Sequence, residues 1–459
     1  MDETTATPIQ TTLDELFKIG PGPSSSHTMG PMRITYDFYR RASALPAEVL
    51  ARATGIEVHL YGSLSATGRG HGTDRASLAG LLGQSPAACP PELLDGLAAN
   101  PARLHAVALG PKTLDVGLAN VLFEDPSLPV PHPNTMSLRL LAGRDMLYEL
   151  EYYSVGGGFI EWRGYVAPGK GRPAHPYASM AALRAHVVDK GLPLDRVLLE
   201  NEISIGGCSE AQVWAFVDQV IGRMIATVDD GLRSEAEFLP GPIGLHSKAR
   251  TVFLGAQDDT FPVHRGVSQL SSYALAAAEE NARGHVVVTA PTAGSAGVMP
   301  AMVKALRDDA KIPLERLRGG VLAAAAIGYL CKRNATLSGA EGGCQAEIGV
   351  ASAMTAALCA QVYGGSVRMV ENAAESALEH HLGLTCDPVG GFVQVPCIER
   401  CAFGAVKAFA AFCIASEGTE TRHRVDLDTT IAAMAMTARD MNRKYKETSE
   451  AGLAALVVC

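Results

Sequence analysis

Short runs of alternating hydrophobic and polar residues fill the first third of the chain. Between residues 55 and 163 these runs are rich in Val, Leu, Tyr and Phe, and Gly, Pro and Asn separate them. That pattern is typical of β-strands joined by turns. The runs are GIEVHLYG at 55–62, RLHAVAL at 103–109, KTLDVGLANVLF at 112–123, TMSLRLLAG at 135–143, MLYELEYYSV at 146–155 and GGFIEWRGYV at 157–166. We therefore predict an α+β domain over residues 1–164.

The hydrophobic pattern changes beyond a segment rich in Gly and Pro. This segment, YVAPGKGRPAH, starts at residue 165, and we interpret residues 165–176 as a linker. Beyond it come long segments rich in Ala, Leu and Met, at 211–230, 268–283, 321–333, 345–361, 366–382, 398–416 and 427–444. Their small side chains predict closely packed helices. The predicted fold class is therefore α+β, with an all-helical domain over residues 177–459 after the first domain.

Size and charge limit what the chain can do. A chain of 459 residues is too long for one ordinary core, so we expect at least two domains. Its formal net charge of -9 gives no attraction for nucleic acid or an anionic membrane, and we expect neither partner. Ten cysteines, together with an acidic start that lacks an apolar core, predict a reducing compartment, so we expect a cytoplasmic protein.

Three cysteines stand in unlike contexts: Cys344 in GGCQAEIG, Cys386 in LTCDPVGG and Cys397 in VPCIERC. Three thiolates can hold a metal cluster and leave one coordination position open for substrate. The spacing alone favours ordinary buried thiols, because compact Cys-x-x-Cys pairs are absent. Cys344 and Cys397 each precede a helix-like run, and the positive end of a helix favours the thiolate form that binds metal.

Other cysteines have a simpler interpretation. Cys401 follows Cys397 by one helical turn and is an alternative ligand, although that spacing is more typical of a core position. Cys331, Cys359 and Cys413 lie inside Ala-rich helical runs and are interpreted as small core residues.

The whole chain resembles the bacterial iron–sulfur L-serine dehydratases (L-serine ammonia-lyases) of the single-chain form. The matching segments are FKIGPGPSSSHTMGPM, YGSLSATGRGHGTD, PHPNTM, YYSVGGGFI, TAPTAGSAGVMPA, the three cysteine segments and the terminal cysteine, and they run from Phe17 to Cys459. The resemblance implies conversion of L-serine to pyruvate and ammonium. It implies a [4Fe-4S] cluster held by Cys344, Cys386 and Cys397, with the fourth iron left for substrate. It also implies a homodimer, a regulatory-type fold for the first domain, and a terminal Cys459 that folds back onto the open iron when substrate is absent.

The segment PGPSSSHT collects hydroxyl groups ahead of a helix-like run, and its candidate substrate-binding residues are Ser24, Ser25, Ser26 and Thr28. Helix starts and hydroxyl clusters bind oxygen anions, so a substrate carboxylate is the expected ligand. The same string is also typical of a helix N-cap with spare serines.

Two histidines and one asparagine are the candidate catalytic residues. His71 lies between glycines, which predict close backbone approach to a ligand and an uncovered imidazole. It is the first choice for the group that moves the substrate's protons, and His27 is the other. Asn134 in PHPNTM either orients the substrate or forms a turn. Because these residues lie in the first domain and the cysteines in the second, the sequence predicts an active site where the domains meet.

The loop PTAGSAG resembles a ligand cradle, with Thr292, Gly294 and Ser295 before a helix that is predicted from residue 299. Related enzymes often carry Asn in place of Ala293. The same loop also fits a phosphate cradle, which supports a competing hypothesis. A pyridoxal-phosphate dehydratase would perform the same net reaction with a Schiff-base lysine. The segment SKAR, which contains Lys248, matches that lysine motif poorly. A pyridoxal-phosphate enzyme would also leave the cysteines without a role.

An iron atom would assist the deamination of serine. The α-proton is barely acidic and hydroxide is a poor leaving group, so an open iron would bind the hydroxyl while a histidine removes the proton.

The tail AGLAALVVC is typical of a segment that packs on a surface, yet Cys459 ends the chain with a thiol and a carboxylate that could imitate substrate. A third hypothesis is a regulatory protein that holds structural zinc or a sensing cluster without catalysis.

Overall fold

A computed structural model describes residues 7–155, 157–167 and 169–457. The chain forms two units, each of which combines segments that are distant in sequence. We call the first the sheet unit, and it contains residues 18–167 and 281–287 in the described parts. The second, the helical unit, contains the described parts of residues 1–17, 168–280 and 288–459.

The strands and helices follow in chain order. The strands are β1 (Ile19–Pro21), β2 (Gly55–Leu60), β3 (His105–Leu109), β4 (Lys112–Val116), β5 (Val121–Phe123), β6 (Thr135–Ala142), β7 (Asp145–Ser154), β8 (Ile160–Trp162) and β9 (Val286–Val288). The helices are α1 (Leu13–Leu16), α2 (Gly30–Ser43), α3 (Ala47–Arg52), α4 (Gly62–Thr67), α5 (Thr73–Leu81), α6 (Pro91–Ala99), α7 (Met180–Lys190), α8 (Leu194–Gly206), α9 (Glu210–Arg233), α10 (Ala249–Gln257), α11 (Pro262–Arg283), α12 (Val298–Lys304), α13 (Leu314–Asn334), α14 (Gly339–Gly342), α15 (Val350–Val362), α16 (Val367–Glu379), α17 (Cys397–Glu417), α18 (Leu427–Asp440) and α19 (Leu453–Leu456).

The main sheet of the sheet unit has the strand order β5-β2-β6-β7-β8. β2 runs parallel to β5, and the other neighbouring strands are antiparallel. The register places Val58 opposite Val121 on one side and opposite Leu138 on the other. β3 and β4 form a separate hairpin, and β1 pairs with β9.

One face of this sheet is apolar because hydrophobic residues occupy every second position. The buried side chains are Ile56, Val58 and Leu60 on β2 and Met136, Leu138 and Leu140 on β6. Helices α2 and α5 cover this core and add Phe38 and Leu78. Between the apolar positions stand polar residues such as His59, whose Nδ1 lies 2.6 Å from Glu124 Oε1. The alternation predicted from the sequence therefore produces a half-buried sheet.

The helical unit is built around α15. Every residue of α15 except Gln361 is buried, and α13, α16 and α17 pack against it. Its sequence, VASAMTAALCAQV, contains mainly small side chains. Small side chains let neighbouring helices approach closely on every side, so α15 is a central helix without a solvent face.

The first described residues of the chain belong to the helical unit. The backbone N–H of Leu13 donates to Glu202 Oε2 at 3.0 Å, and the Tyr329 hydroxyl donates to Glu202 Oε1 at 2.8 Å. Burial raises the pKa of Glu202 to about 7. A buried carboxyl needs partners for both oxygens, and here they join α1, α8 and α13.

The predicted α+β fold class is confirmed. Each β-prone run contains a strand, and each helical segment predicted beyond residue 176 coincides with a helix. The domain boundaries predicted at residues 164 and 176 stay a prediction. In the described part of the chain, the helices are all too short or too polar to cross a membrane.

Two glycines of α9 give a matched test of helix packing. A Cβ on Gly231 would lie 2.4 Å from the backbone oxygen of Ala276, whereas a Cβ on Gly222 would meet no atom within 4 Å. We expect Gly231→Ala to lower the free energy of unfolding by about 1–3 kcal/mol, because α9 and α11 must separate. We expect Gly222→Ala to raise it by up to about 1 kcal/mol, because alanine favours the helix. Urea denaturation of both variants checks this, and equal effects would contradict the described packing.

Candidate functional site

Two of the three predicted cysteine ligands open helices in the helical unit. Cys344 stands directly before a wide helical turn, residues 345–349, that continues into α15, and Cys397 is the first residue of α17. Both thiols are buried. The helix starts predicted after these cysteines are confirmed. Because α15 is buried on all sides, Cys344, which stands before its amino-terminal end, lies in the protein interior.

Cys386 and a carboxylate complete a compact donor group with Cys344. The Sγ atoms of Cys344 and Cys386 and a carboxylate oxygen of Glu347 all lie within 4.8 Å of one another. Cys386 Sγ is 3.9 Å from Glu347 Oε2. Two thiols and a carboxylate at this separation can share one bound metal group.

The Glu347 side chain also joins the predicted cradle loop to the cysteines. Thr292 hydrogen bonds to its carboxylate. A Cβ on Gly294 would lie 3.2 Å from Oε1, and a Cβ on Gly339 would lie 2.5 Å from Oε2. Gly339 therefore cannot carry a side chain unless the carboxylate moves. Ser295 stays within its own loop, where its hydroxyl donates to the carbonyl of Ala290 at 3.2 Å.

A mostly buried guanidinium lies one helical turn after Cys397. Burial lowers the pKa of Arg400, but the charge of Cys344 and of the other neighbouring groups outweighs it and raises this pKa. Its Nη1 donates to the carbonyl of Thr385 at 2.6 Å, and its Nη2 lies 3.1 Å from Asp387 Oδ1. The cation is thus held by the loop that carries Cys386.

Burial outweighs the helix start in setting the pKa of the Cys397 thiol. Burial, followed by the charge of Cys344, raises that pKa well above its usual range, and a hydrogen bond to Cys344 together with burial does the same for Cys386. The helix start therefore does not lower the pKa of Cys397, contrary to the expectation. Metal binding must displace these protons, as it does at other thiolate sites.

Cys401 lies apart from the donor group. It is fully buried, and its Sγ donates to the carbonyl of Gly294 at 3.4 Å. Cys331 and Cys359 are fully buried in α13 and α15, and burial raises the pKa of both thiols. These contacts are those of core cysteines.

The carboxyl-terminal segment is anchored on the Cys386 loop. Cys386 N donates to the carbonyl of Tyr445 at 2.8 Å, and Glu447 N donates to the carbonyl of Cys386 at 2.7 Å. Further along, Leu453 N donates to Asp387 Oδ2 at 2.7 Å. Burial and the charge of Glu347 raise the pKa of Glu447 to about 8. The prediction for Cys459 lies outside the described residues.

The two candidate histidines meet in the sheet unit. The rings of His27 and His71 have centroids 4.9 Å apart. His71 Nδ1 lies 3.0 Å from the carbonyl of Thr67, which can only accept a hydrogen bond. Nδ1 therefore carries the proton in the neutral ring, and Nε2 keeps a free lone pair. His27 instead has hydroxyls on both sides, Ser26 at Nδ1 and Ser63 at Nε2, each at 2.9 Å.

The flanking glycines do not leave His71 exposed. The residue is only 7% exposed, and burial lowers its pKa. Gly72 has a φ of +62°, a backbone conformation that favours glycine, and it starts α5 immediately after the histidine. The glycine thus serves the turn, and the expectation of an uncovered imidazole is wrong.

The hydroxyls of PGPSSSHT bond within the sheet unit. Ser24 Oγ accepts from the backbone N–H of His27 at 3.1 Å, as in the N-cap interpretation. Thr28 Oγ1 donates to the carbonyl of His71 at 2.8 Å. Ser25 is buried. These bonds hold the His27 and His71 segments together.

Asn134 has one unsatisfied atom. Its Nδ2 donates to the carbonyl of Ser154 at 3.2 Å, while its buried Oδ1 has no hydrogen-bond partner among the described residues. Ser154 Oγ in turn donates to the carbonyl of Ser26 at 2.8 Å. A buried acceptor without a partner is costly, and it is a position where a substrate donor would bind.

Lys248 does not have the surroundings of a Schiff-base lysine. Its ammonium pairs with Glu399, and its side chain is 36% exposed. A catalytic lysine of that kind is desolvated, so that its amine loses the proton near neutral pH.

Sequence reasoning missed the charged residues around the cysteines. Glu347 and Arg400 each follow a candidate cysteine by three residues, which is about one helical turn. Asp387 follows Cys386 directly, and Glu447 belongs to the tail. A charge within an Ala-rich helix, one turn from a candidate ligand, is the signal that would have found the first two.

Comparison with known proteins gives full-length matches. The family model described as serine dehydratase beta chain matches residues 12–164, and the one described as serine dehydratase alpha chain matches residues 189–454. The chain is 41% identical to an L-serine dehydratase of Haemophilus influenzae, over 97% of this chain and 99% of that protein. It is 39% identical to L-serine dehydratase 1 of Escherichia coli, with the same shares covered, and 40% identical to an L-serine dehydratase of Streptomyces coelicolor, over 97% of this chain and 98% of the relative.

The histidine pair predicts how stability depends on pH. Burial, followed by the neighbouring His71, lowers the pKa of His27 from 6.5 to about 3. As the pH falls from about 6.5 towards 3, the unfolded chain therefore binds a proton that the folded chain does not, and stability is lost. We expect the step from pH 7 to pH 5 to cost up to about 2 kcal/mol through His27. We expect His27→Gln to reduce the loss by that amount.

Urea denaturation of chelator-treated protein at the two pH values measures this loss without a contribution from acid release of metal. His246→Gln is the control, because His246 is 66% exposed and should change little. An identical pH dependence in the wild type and His27→Gln would contradict the burial of a neutral His27.

Proposed function

The chain belongs to the serine dehydratase family, and from that premise we propose that it converts L-serine to pyruvate and ammonium with a [4Fe-4S] cluster held by Cys344, Cys386 and Cys397. The observation that carries this proposal is the donor group of the helical unit, in which two thiols and a carboxylate lie within 4.8 Å of one another. Cys397 does not belong to that donor group, and we assign it as the third ligand from the family resemblance.

The residues present fit an iron–sulfur group. Cysteine thiols are the donors that such clusters require, and all three are buried. Gly339 and Gly294 carry no side chains, which leaves room for the Glu347 carboxylate beside the thiols. Arg400 offers a positive charge next to a ligand set that becomes negative when the thiols lose their protons.

When bound, the cluster would supply a Lewis acid that assists departure of the serine hydroxyl. The protein must then remove the α-proton. We assign this step to Nε2 of His71, because the bond from Nδ1 to the Thr67 carbonyl fixes the tautomer that leaves Nε2 as the acceptor. His27, which has hydroxyl partners on both ring nitrogens, is a positioning residue in this proposal.

Two polar sites remain candidates for the other groups of serine. The unpartnered Oδ1 of Asn134 can accept a hydrogen bond from the substrate ammonium. The loop around Thr292, Gly294 and Ser295 contacts Glu347, and we propose that it binds the substrate carboxylate. The hydroxyls of Ser24, Ser25, Ser26 and Thr28 are the other candidate for that carboxylate. The product of elimination is an aminoacrylate, which tautomerises to an imine and hydrolyses to pyruvate and ammonium.

We extend the proposal to the tail, the assembly and the compartment. Anchoring of residues 445–453 on the Cys386 loop supports a resting state in which Cys459 binds the open iron. The family resemblance supports a cytoplasmic homodimer.

Anaerobic assay of the purified protein tests the function. We expect brown protein that contains iron and sulfide and forms pyruvate from L-serine, and Cys397→Ser should lose both the colour and the activity. Cys413→Ser is the matched control, since Cys413 lies in the same helix and is only partly buried. A yellow absorption band lost with borohydride would favour the pyridoxal-phosphate dehydratase, and a bound cluster without pyruvate would favour the regulatory protein.

Substitution of the histidines tests the assigned base. We expect His71→Asn to lower kcat by about 10²–10⁴-fold with a smaller change in KM, because a general base acts only in the transition state. His27→Asn should cost less, and the exposed His246→Asn should cost little. The iron content of all three variants should equal that of the wild type. A larger loss in His27→Asn than in His71→Asn would reverse the assignment.

A further inference from the structure

Arg400 is a mostly buried cation that the proposed reaction does not use. Its side chain is 16% exposed, and Asp387, its ion-pair partner, is 4% exposed. A guanidinium is costly to bury, so its position beside two candidate ligands calls for a physical reason. Its hydrogen bonds to the loop that carries Cys386 supply one.

We propose that Arg400 is a positioning residue that fixes the loop around Cys386 through its bonds to Thr385 and Asp387, and that its charge offsets the negative charge of the cysteine ligands. This inference rests on the proposed function, because it assigns to Arg400 an effect on the cluster. The hydrogen bonds and net charge around the ligand sulfurs are among the factors that set the reduction potential of an iron–sulfur cluster.

The position of this cation makes the role specific. Arg400 follows Cys397 by one helical turn, and its two bonding partners are the residues on either side of Cys386. The side chains of Arg400 and Asp387 are largely shielded from water, so water screens their charges little.

Two partners fix the orientation of the guanidinium. It donates to the Thr385 carbonyl at 2.6 Å through Nη1 and to Asp387 Oδ1 at 3.1 Å through Nη2. The other oxygen of Asp387 accepts from Leu453 N at 2.7 Å, so the carboxylate is held as well. A planar fork of N–H donors can bridge both partners at once, which a lysine ammonium at the end of a flexible stem does less well.

Redox titration of the anaerobic holoenzyme tests the proposal. The variants are Arg400→Gln, which removes the charge, and Arg400→Lys, which keeps the charge but removes the fork. Arg318→Gln is the matched control, because Arg318 pairs bidentately with Asp218 elsewhere in the helical unit. The midpoint potential of the cluster is followed by electron paramagnetic resonance, and the rate of bleaching in air by absorbance.

We expect the midpoint potential of Arg400→Gln to become more negative, because the reduced cluster carries the greater negative charge. Each tenfold loss in the stabilisation of the reduced cluster corresponds to about 59 mV for a one-electron couple. Arg400→Lys should fall between the wild type and Arg400→Gln, and Arg318→Gln should match the wild type. Bleaching in air should be faster in Arg400→Lys than in the wild type, and fastest in Arg400→Gln.

Unchanged potentials in both Arg400 variants, with full iron content, would overturn the proposal while leaving the proposed function intact. If Arg400→Gln does not fold, Arg400→Lys decides alone, since a potential equal to that of the wild type would show that the fork has no effect. Failure of the proposed function looks different, because the wild type itself would then either contain no iron and sulfide or form no pyruvate from L-serine.

Discussion

Burial of α15 on all sides is the constraint from which the candidate site follows. A helix without a solvent face must place whatever stands at its amino-terminal end in the protein interior, and here that is Cys344 and, one turn later, Glu347. Thiols and a carboxylate cannot be buried without partners. The partners come from Thr292 and Arg400, which belong to a distant loop and to a neighbouring helix. The small side chains that allow α15 to be buried on all sides therefore also determine that the reactive residues at its start lie in the interior.

The sheet unit positions its candidate groups by a different means. His27 and His71 lie on separate turns that are joined by hydroxyl-to-carbonyl bonds, from Thr28 to His71 and from Thr73 to His27. Each bond fixes the backbone beside a ring, and the carbonyl of Thr67 then selects the protonated nitrogen of His71. Backbone carbonyls, which have a fixed hydrogen-bonding role, thus determine which ring atom can accept a proton.

Periodicity predicted the elements of the fold because local residues determine them. The run TMSLRLLAG alternates apolar and polar residues and forms β6, and the Ala-rich segment after Cys344 forms α15. The partners of Glu347 and Arg400 were not predictable in this way. Thr292 is 55 residues before Glu347 in the chain, and a contact over that separation leaves no local pattern. The cysteines were found because their motifs resemble a known family, whereas the charges beside them are recognisable only from three-dimensional contacts.

The interleaving of the two units in sequence affects how the protein can be divided. Gly22 lies so close to residue 281 that a Cβ there would be 2.2 Å from the Asn281 carbonyl oxygen, and its N–H donates to the carbonyl of His285 at 3.0 Å. A fragment that ends at residue 167 would lack this returning segment and would carry α1 without the helices that bury it. A fragment that begins at residue 168 would lack α1, and it would carry residues 281–287 without the rest of the sheet unit. Neither unit can thus be produced as one uninterrupted piece of the gene, and a split version would require co-expression of both parts.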